Sequence, residues 1–155
     1  MPQQRFYLVP QIVFAEKYFD RSIRDILRLF DRGANKFQVT WPQEIVDEPT
    51  GEVVEYDLTL NISGDLSYPL SWDVAVLLHN TRIDGIGYHP WSNDVEGNEQ
   101  EGWHRHVWNE KEKHAKGKTR VSGFDGELSF EEFLIRAFKE LRVICSRVDS
   151  DLELF

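Results

Sequence analysis

From Val54 to Ile62 every second residue is apolar: Val54, Tyr56, Leu58, Leu60 and Ile62 alternate with Glu55, Asp57, Thr59 and Asn61. Successive side chains of a strand point to opposite faces, so this alternation predicts a sheet with one side buried and the other wet. Phe37, Val39 and Trp41 repeat the pattern until Pro42, and the turn-forming Asp47-Glu-Pro-Thr-Gly51 joins the two runs as a hairpin. Ser63 to Pro69 breaks the chain again. Trp72, Val74, Val76 and Leu78 then resume the alternation, and Ile83 and Ile86 flank a fourth strand beyond a turn at Asn80. A largely antiparallel meander is predicted for the centre of the chain.

Two helices are expected around it. Ile12, Ala15, Phe19, Ile23, Ile26 and Phe30 recur at steps of three and four, one face of a helix from Ile12 to Phe30, and Gly33 supplies the stop. Lys17, Arg21, Arg24, Arg28 and Arg32 run beside it as a basic stripe, read as the wet side of an amphipathic helix, with Asp20 and Arg24 in the stabilising i,i+4 order. Ser129 and Glu132 have capping-box spacing, and Phe130, Phe133, Leu134, Ala137, Phe138, Leu141 and Ile144 supply an apolar stripe for a helix from Ser129 to Cys145. The expected fold class is α+β: an antiparallel sheet of about five strands packed by an N-terminal and a C-terminal helix.

A chain of 155 residues is long enough for one core, and 13% aromatic residues is too many for a disordered polar chain, so residues 1–155 are read as a single domain. No run approaches the ~18 apolar residues a spanning helix requires, which predicts no membrane contact and a cytoplasmic location. Cys145, the one cysteine, can make no internal disulfide and is expected as a small core residue.

The net charge of −9 argues against general polyanion binding, but the charge is uneven. Thirteen acidic residues lie between Pro42 and Glu101 against the single base Arg82, whereas His104 to Arg120 carries six Lys or Arg against Glu110 and Glu112. The chain is locally basic where its histidines gather: His89, His104, His106 and His114 fall together with Trp91, Trp103 and Trp108.

On a strand, His104, His106 and Trp108 would share one face and Trp103, Arg105 and Val107 the other. Such an H-x-H pair can ligate a transition metal, with His89 and Asp84 as further ligands. It can equally act without metal, because imidazole titrates near neutral pH and two of them serve as base and acid. The second role suits RNA phosphodiester cleavage, with Arg82 as the cation that holds the phosphate, Arg105 and Lys111 close in sequence to the histidine pair, and Tyr88, Trp91 and Trp108 to stack unpaired bases. The polar loop from Ser92 to Gly102 would form a lid or a plain exposed loop.

The segments Arg82-Ile-Asp84, Gly87-Tyr-His89-Pro90, Gly102-Trp-His104-Arg-His106 and Leu128-Ser-Phe-Glu-Glu-Phe-Leu134 together resemble the TumE-type toxins and related small prokaryotic families of toxin–antitoxin or mobile-element origin. The similarity spans about Asp73 to Ile144. It implies a toxin beside a cognate antitoxin, acting on RNA, with Arg82, Asp84, His89, His104 and His106 as the site. This chain adds a first helix and two strand-like segments before Asp73, and its loop after Pro90 is acidic. The expected function is therefore a toxin-like endoribonuclease with histidine acid/base chemistry and neither metal nor other cofactor. The alternative is a non-catalytic interaction or accessory module whose acidic surface meets a protein partner.

Overall fold

A computed structural model describes residues 6–65, 68–93, 99–120 and 128–145. It is an α+β fold built on a six-stranded antiparallel meander: β2 (Lys36–Val46), β3 (Val53–Asp65), β4 (Tyr68–Leu78), β5 (Thr81–Asn93), β6 (Glu99–Asn109) and β7 (His114–Arg120), each paired with its neighbour in sequence. Three helices accompany it: α1 (Val9–Phe14), α2 (Ile23–Asp31) and α3 (Phe130–Glu140). Two short strands, β1 (Lys17–Phe19) and β8 (Val143–Cys145), form a separate parallel pair. Among the described residues no helix is long and apolar enough to cross a membrane.

The alternation sets which face is buried. Val54, Tyr56, Leu58, Leu60 and Ile62 of β3 stand opposite Ile45, Gln43, Trp41, Val39 and Phe37 of β2, so the apolar sets of both strands share one face. Trp72, Val74, Val76 and Leu78 of β4 continue it, and α1, α2 and α3 pack there. Phe133 sits at the centre of this layer, its ring 5.1 Å from Trp103 and 5.6 Å from Trp72. Leu60, Ile62, Val74 and Phe133 are wholly buried, each worth on the order of 1.5 to 3 kcal/mol of transfer free energy before ordering costs.

Pro42, expected to end its strand, lies inside β2 and pairs with Asp57. The strand is at the sheet's edge, where every second N–H points outward and a proline forfeits no ladder bond. The sheet is also larger than the expected five strands. β3 and β4 run on to Asp65 and from Tyr68 across the expected break, and β5 and β6 occupy much of the expected loop from Ser92 to Gly102, whose residues 94–98 lie outside the described set.

The first helix is corrected more deeply. The stretch from Ile12 to Phe30 is two helices with a strand between them, because Ser22 starts a new helix: its hydroxyl accepts from the Asp25 N–H while the Asp25 carboxylate accepts from the Ser22 N–H. Asp20 therefore stands outside α2, and the ion pair on the helix surface is Arg28 with Asp25. Gly33 does close α2, at φ 99°.

Lys17 leaves the basic stripe altogether and is fully buried. Its Nζ donates to the carbonyls of Val13, Ala15 and Leu141, at 3.2, 3.0 and 2.8 Å. One ammonium thereby satisfies acceptors at the ends of both α1 and α3, groups that a helix leaves without internal partners. Burial lowers its pKa from 10.5 to about 8, against the attraction of Asp84.

At the other end, α3 begins as expected, with the Ser129 hydroxyl accepting from the Glu132 N–H. It stops at Glu140 rather than continuing to Cys145. Arg142 takes a left-handed φ of 59°, and Val143 to Cys145 pair with β1, leaving Ile144 partly exposed. Cys145 is half-buried, and that burial raises its thiol pKa.

Candidate functional site

The face of the meander opposite the helices carries a cluster of titratable groups on three adjacent strands. Register puts it together: Gly87 of β5 stands between Asp73 of β4 and His104 of β6, and Gly85 between Ala75 and His106. Arg82 reaches the same face because a bulge at Ile83 shifts the register, so that Leu77 pairs with Arg82 and Val76 with Asp84.

The Arg82 guanidinium grips Asp73 with two bonds, Nη1 to Oδ1 at 3.2 Å and Nη2 to Oδ2 at 2.8 Å. The His106 Nε2 lies 3.9 Å from Asp73 Oδ1, and the rings of His104 and His106 meet edge-on at 5.1 Å. Two glycines make the room. A Cβ on Gly87 would fall 2.8 Å from Asp73 Oδ1, 3.0 Å from the Trp72 carbonyl oxygen and 3.5 Å from His104 Nε2, and one on Gly85 would meet Arg82 Nη1 at 3.3 Å. These positions are small because the polar cluster occupies the space a side chain would fill.

His104 is 1% exposed and lies behind His106. His106 itself lines a cavity of about 480 Å³ together with Arg82, His114 and Lys116, so two imidazoles and two cations border one opening. His114 is held by Glu112, whose Oε2 lies 2.5 Å from Nε2, while Nδ1 accepts a long 3.3 Å bond from the Lys116 N–H. In the backbone register Lys118 pairs with His106 and Arg120 with His104.

Several residues expected at the site stand elsewhere. Asp84 is buried on the helix side, where its carboxylate accepts Arg105 Nε at 3.0 Å, Arg105 Nη2 at 2.9 Å and the Gly85 N–H at 2.9 Å. Arg105 shares that side by strand alternation, and this bond to Asp84 raises its pKa still further. Trp108 was expected on the face of His104 and His106. A bulge between Val107 and Asn109 turns it away: it packs on Phe6, with centroids 5.8 Å apart, and donates Nε1–H to Glu110 at 2.7 Å. Tyr88 faces the helices with its ring 4.9 Å from Trp103. Lys111 is exposed in the β6–β7 turn. The backbone of His89 pairs with Gly102, but the side chains of His89 and Trp91 lie outside the described residues.

The sequence reading missed Asp73. Its only signal is an acid among the outward positions of β4, and nothing local says that Arg82 will lie across from it. Among the described residues no three His, Cys, Asp or Glu side chains converge as metal ligands would. Comparison with family models, curated proteins and solved structures finds no match for this chain.

Proposed function

We propose that this protein is a toxin-like endoribonuclease of the cytoplasm, cleaving RNA at the open face of the sheet without metal, and held in check by a cognate protein partner. The observation that carries the reading is that His106, His114, Arg82 and Lys116 border one cavity. The resemblance of the segments around Arg82 and His104 to TumE-type toxins supports the choice of RNA and of an antitoxin.

In this reading Arg82 and Lys116 hold a backbone phosphate, supplying positive charge where negative charge grows in the transition state. The His106 imidazole takes the proton of the 2′-hydroxyl, and O2′ attacks phosphorus. His114 gives the proton on Nε2, the nitrogen that faces Glu112, to the leaving O5′. The products are a 2′,3′-cyclic phosphate and a 5′-hydroxyl, so no water or metal enters this step. His104 and Asp73 act through His106: the ring of one and the carboxylate of the other fix its orientation.

Labelled RNA incubated with the purified protein in EDTA tests this. Decay should give cyclic-phosphate ends and fall about a hundredfold or more in His106→Ala and in His114→Ala. His104→Ala should lose less, because that ring does not border the opening. Equal decay in wild type and all three variants would refute the site.

A second reading, a non-catalytic interaction module, is favoured by apolar side chains left in water near the β2–β3 hairpin: Tyr7, Val46 and Val53 are each more than half exposed. It expects no RNA decay and a partner complex that forms equally well with wild type and the histidine variants.

A further inference from the structure

A second cavity, of about 450 Å³, opens on the helix side of the sheet, between α1 and the ends of β5 and β6. Its walls include Val13 and Phe14 of α1, Ile83 of the β5 bulge and Trp108, and its polar groups include Asp84 and Arg105. The volume suits a small ligand, and apolar walls with one or two placed polar groups are the usual make-up of such a site. Phe14 is 72% exposed, a large ring left in water at the rim.

The polar groups point to the chemistry of the occupant. Asp84 is already satisfied by Arg105 and the Gly85 N–H. Arg105 is not used up: Nε and Nη2 bind Asp84, the Nη1 amino group makes no contact with it, and nearly a third of the side chain is exposed. Lys17 lies close enough that Asp84 attracts it and Arg105 repels it. Arg142 repels Lys17 as well and Glu140 attracts Arg105, so three cations stand against two carboxylates and leave one excess positive charge in this region. The second acid on the cavity wall, Glu110, is itself paired with Lys113 at 2.8 Å and turned toward the Trp108 indole. A ligand lodged here meets rings and aliphatic groups around its body and unused guanidinium N–H groups at one end.

The geometry points to a binding site for a small apolar monocarboxylate, its hydrocarbon or aromatic body between Phe14 and Trp108 and its carboxylate on the free N–H groups of Arg105. The site is separate from the proposed phosphate cavity, since Arg105 and His106 project from opposite faces of β6. His106 touches both cavities, so carboxylate binding would be felt at the other face through this one residue.

The test uses 3-phenylpropionate and the uncharged 3-phenylpropanol as probes, titrated into the intact protein and followed by the indole N–H resonance of Trp108. The acid should shift that resonance saturably and bind about tenfold or more tightly than the alcohol, the difference expected of one charge-assisted contact. Phe14→Ala removes an exposed ring, so folding is retained, and should weaken the acid several-fold. His114→Ala, which borders only the phosphate cavity, should leave acid binding unchanged even if it abolishes RNA decay, so the two readings fail separately. Equal affinity for acid and alcohol, an unmoved Trp108 resonance, or undiminished binding in Phe14→Ala would each overturn the proposal.

Discussion

Replacing Lys17 by Met should make the protein's pH dependence differ from wild type in a direction opposite to that expected of a lysine held by a salt bridge. The side chain is 0% exposed, and burial lowers its pKa from 10.5 to about 8. Below pH 8 both the folded and unfolded chains carry the proton, and the folded state bears the full penalty of a buried ammonium. Between about 8 and 10.5 the unfolded chain binds more protons than the folded one, so stability from this group rises with pH. From pH 7 to pH 9.5 the gain works out to about 2 kcal/mol, taking 1.36 kcal/mol for each pKa unit. Cys145 titrates in the same window with the opposite sign, since its raised pKa removes stability as pH rises. It is present in both proteins and cancels in the difference. Urea denaturation of wild type and Lys17→Met at pH 7 and pH 9.5 measures that difference directly. Wild type should gain about 2 kcal/mol on the variant across the interval. A constant difference, or one that shrinks, would refute the account of Lys17 as a charged group held in a dry contact with three carbonyls.

Further outcomes follow from packing. Gly87→Ala drives a Cβ against the Trp72 carbonyl oxygen at 3.0 Å as well as Asp73 Oδ1 at 2.8 Å, and should cost about 1–3 kcal/mol in chemical denaturation, because backbone cannot step aside as a side-chain tip can. Phe133→Ala should cost about 3–5 kcal/mol and change the fluorescence of Trp72 and Trp103, whose rings it packs against. Asn80→Ala, at φ 63° in the β4–β5 turn, should cost about 1 kcal/mol, since alanine cannot adopt the left-handed conformation as readily. A melting temperature unchanged in any of these would count against the packing described at that position.

The histidine cluster was partly legible. His104 and His106 do share a face, because strand alternation is a local rule and holds wherever the strand is regular. The same rule failed two residues later at Trp108, where a bulge in the β6–β7 pairing sets three steps from Gly117 to His114 against two from Val107 to Asn109, and a bulge at Ile83 likewise sets Asp84 apart from Arg82. A bulge depends on how two strands fit together, and the residues of either strand alone do not announce it. The Arg82 partner was illegible for a related cause, since Asp73 and Arg82 meet only through the register of β4 against β5.

The N-terminal region makes the same distinction. Steps of three and four from Ile12 to Phe30 correctly marked residues that end in the core, yet joined two helices and a strand into one, because Ile12, Phe19, Ile26 and Phe30 are buried whichever backbone carries them. The Ser22–Asp25 cap, visible in the sequence, was the local sign that a helix starts there. What the residue order determined unaided was the meander, its buried face and the start of α3, all consequences of side-chain period and capping within a few residues. The tertiary structure alone decided that Lys17 is buried, that Asp84 and Arg105 pair on the helix side, and that Asp73, Arg82 and His106 meet on the other. Each of those outcomes depends on a contact between distant segments, whose free energy exists only once the strands have chosen their register.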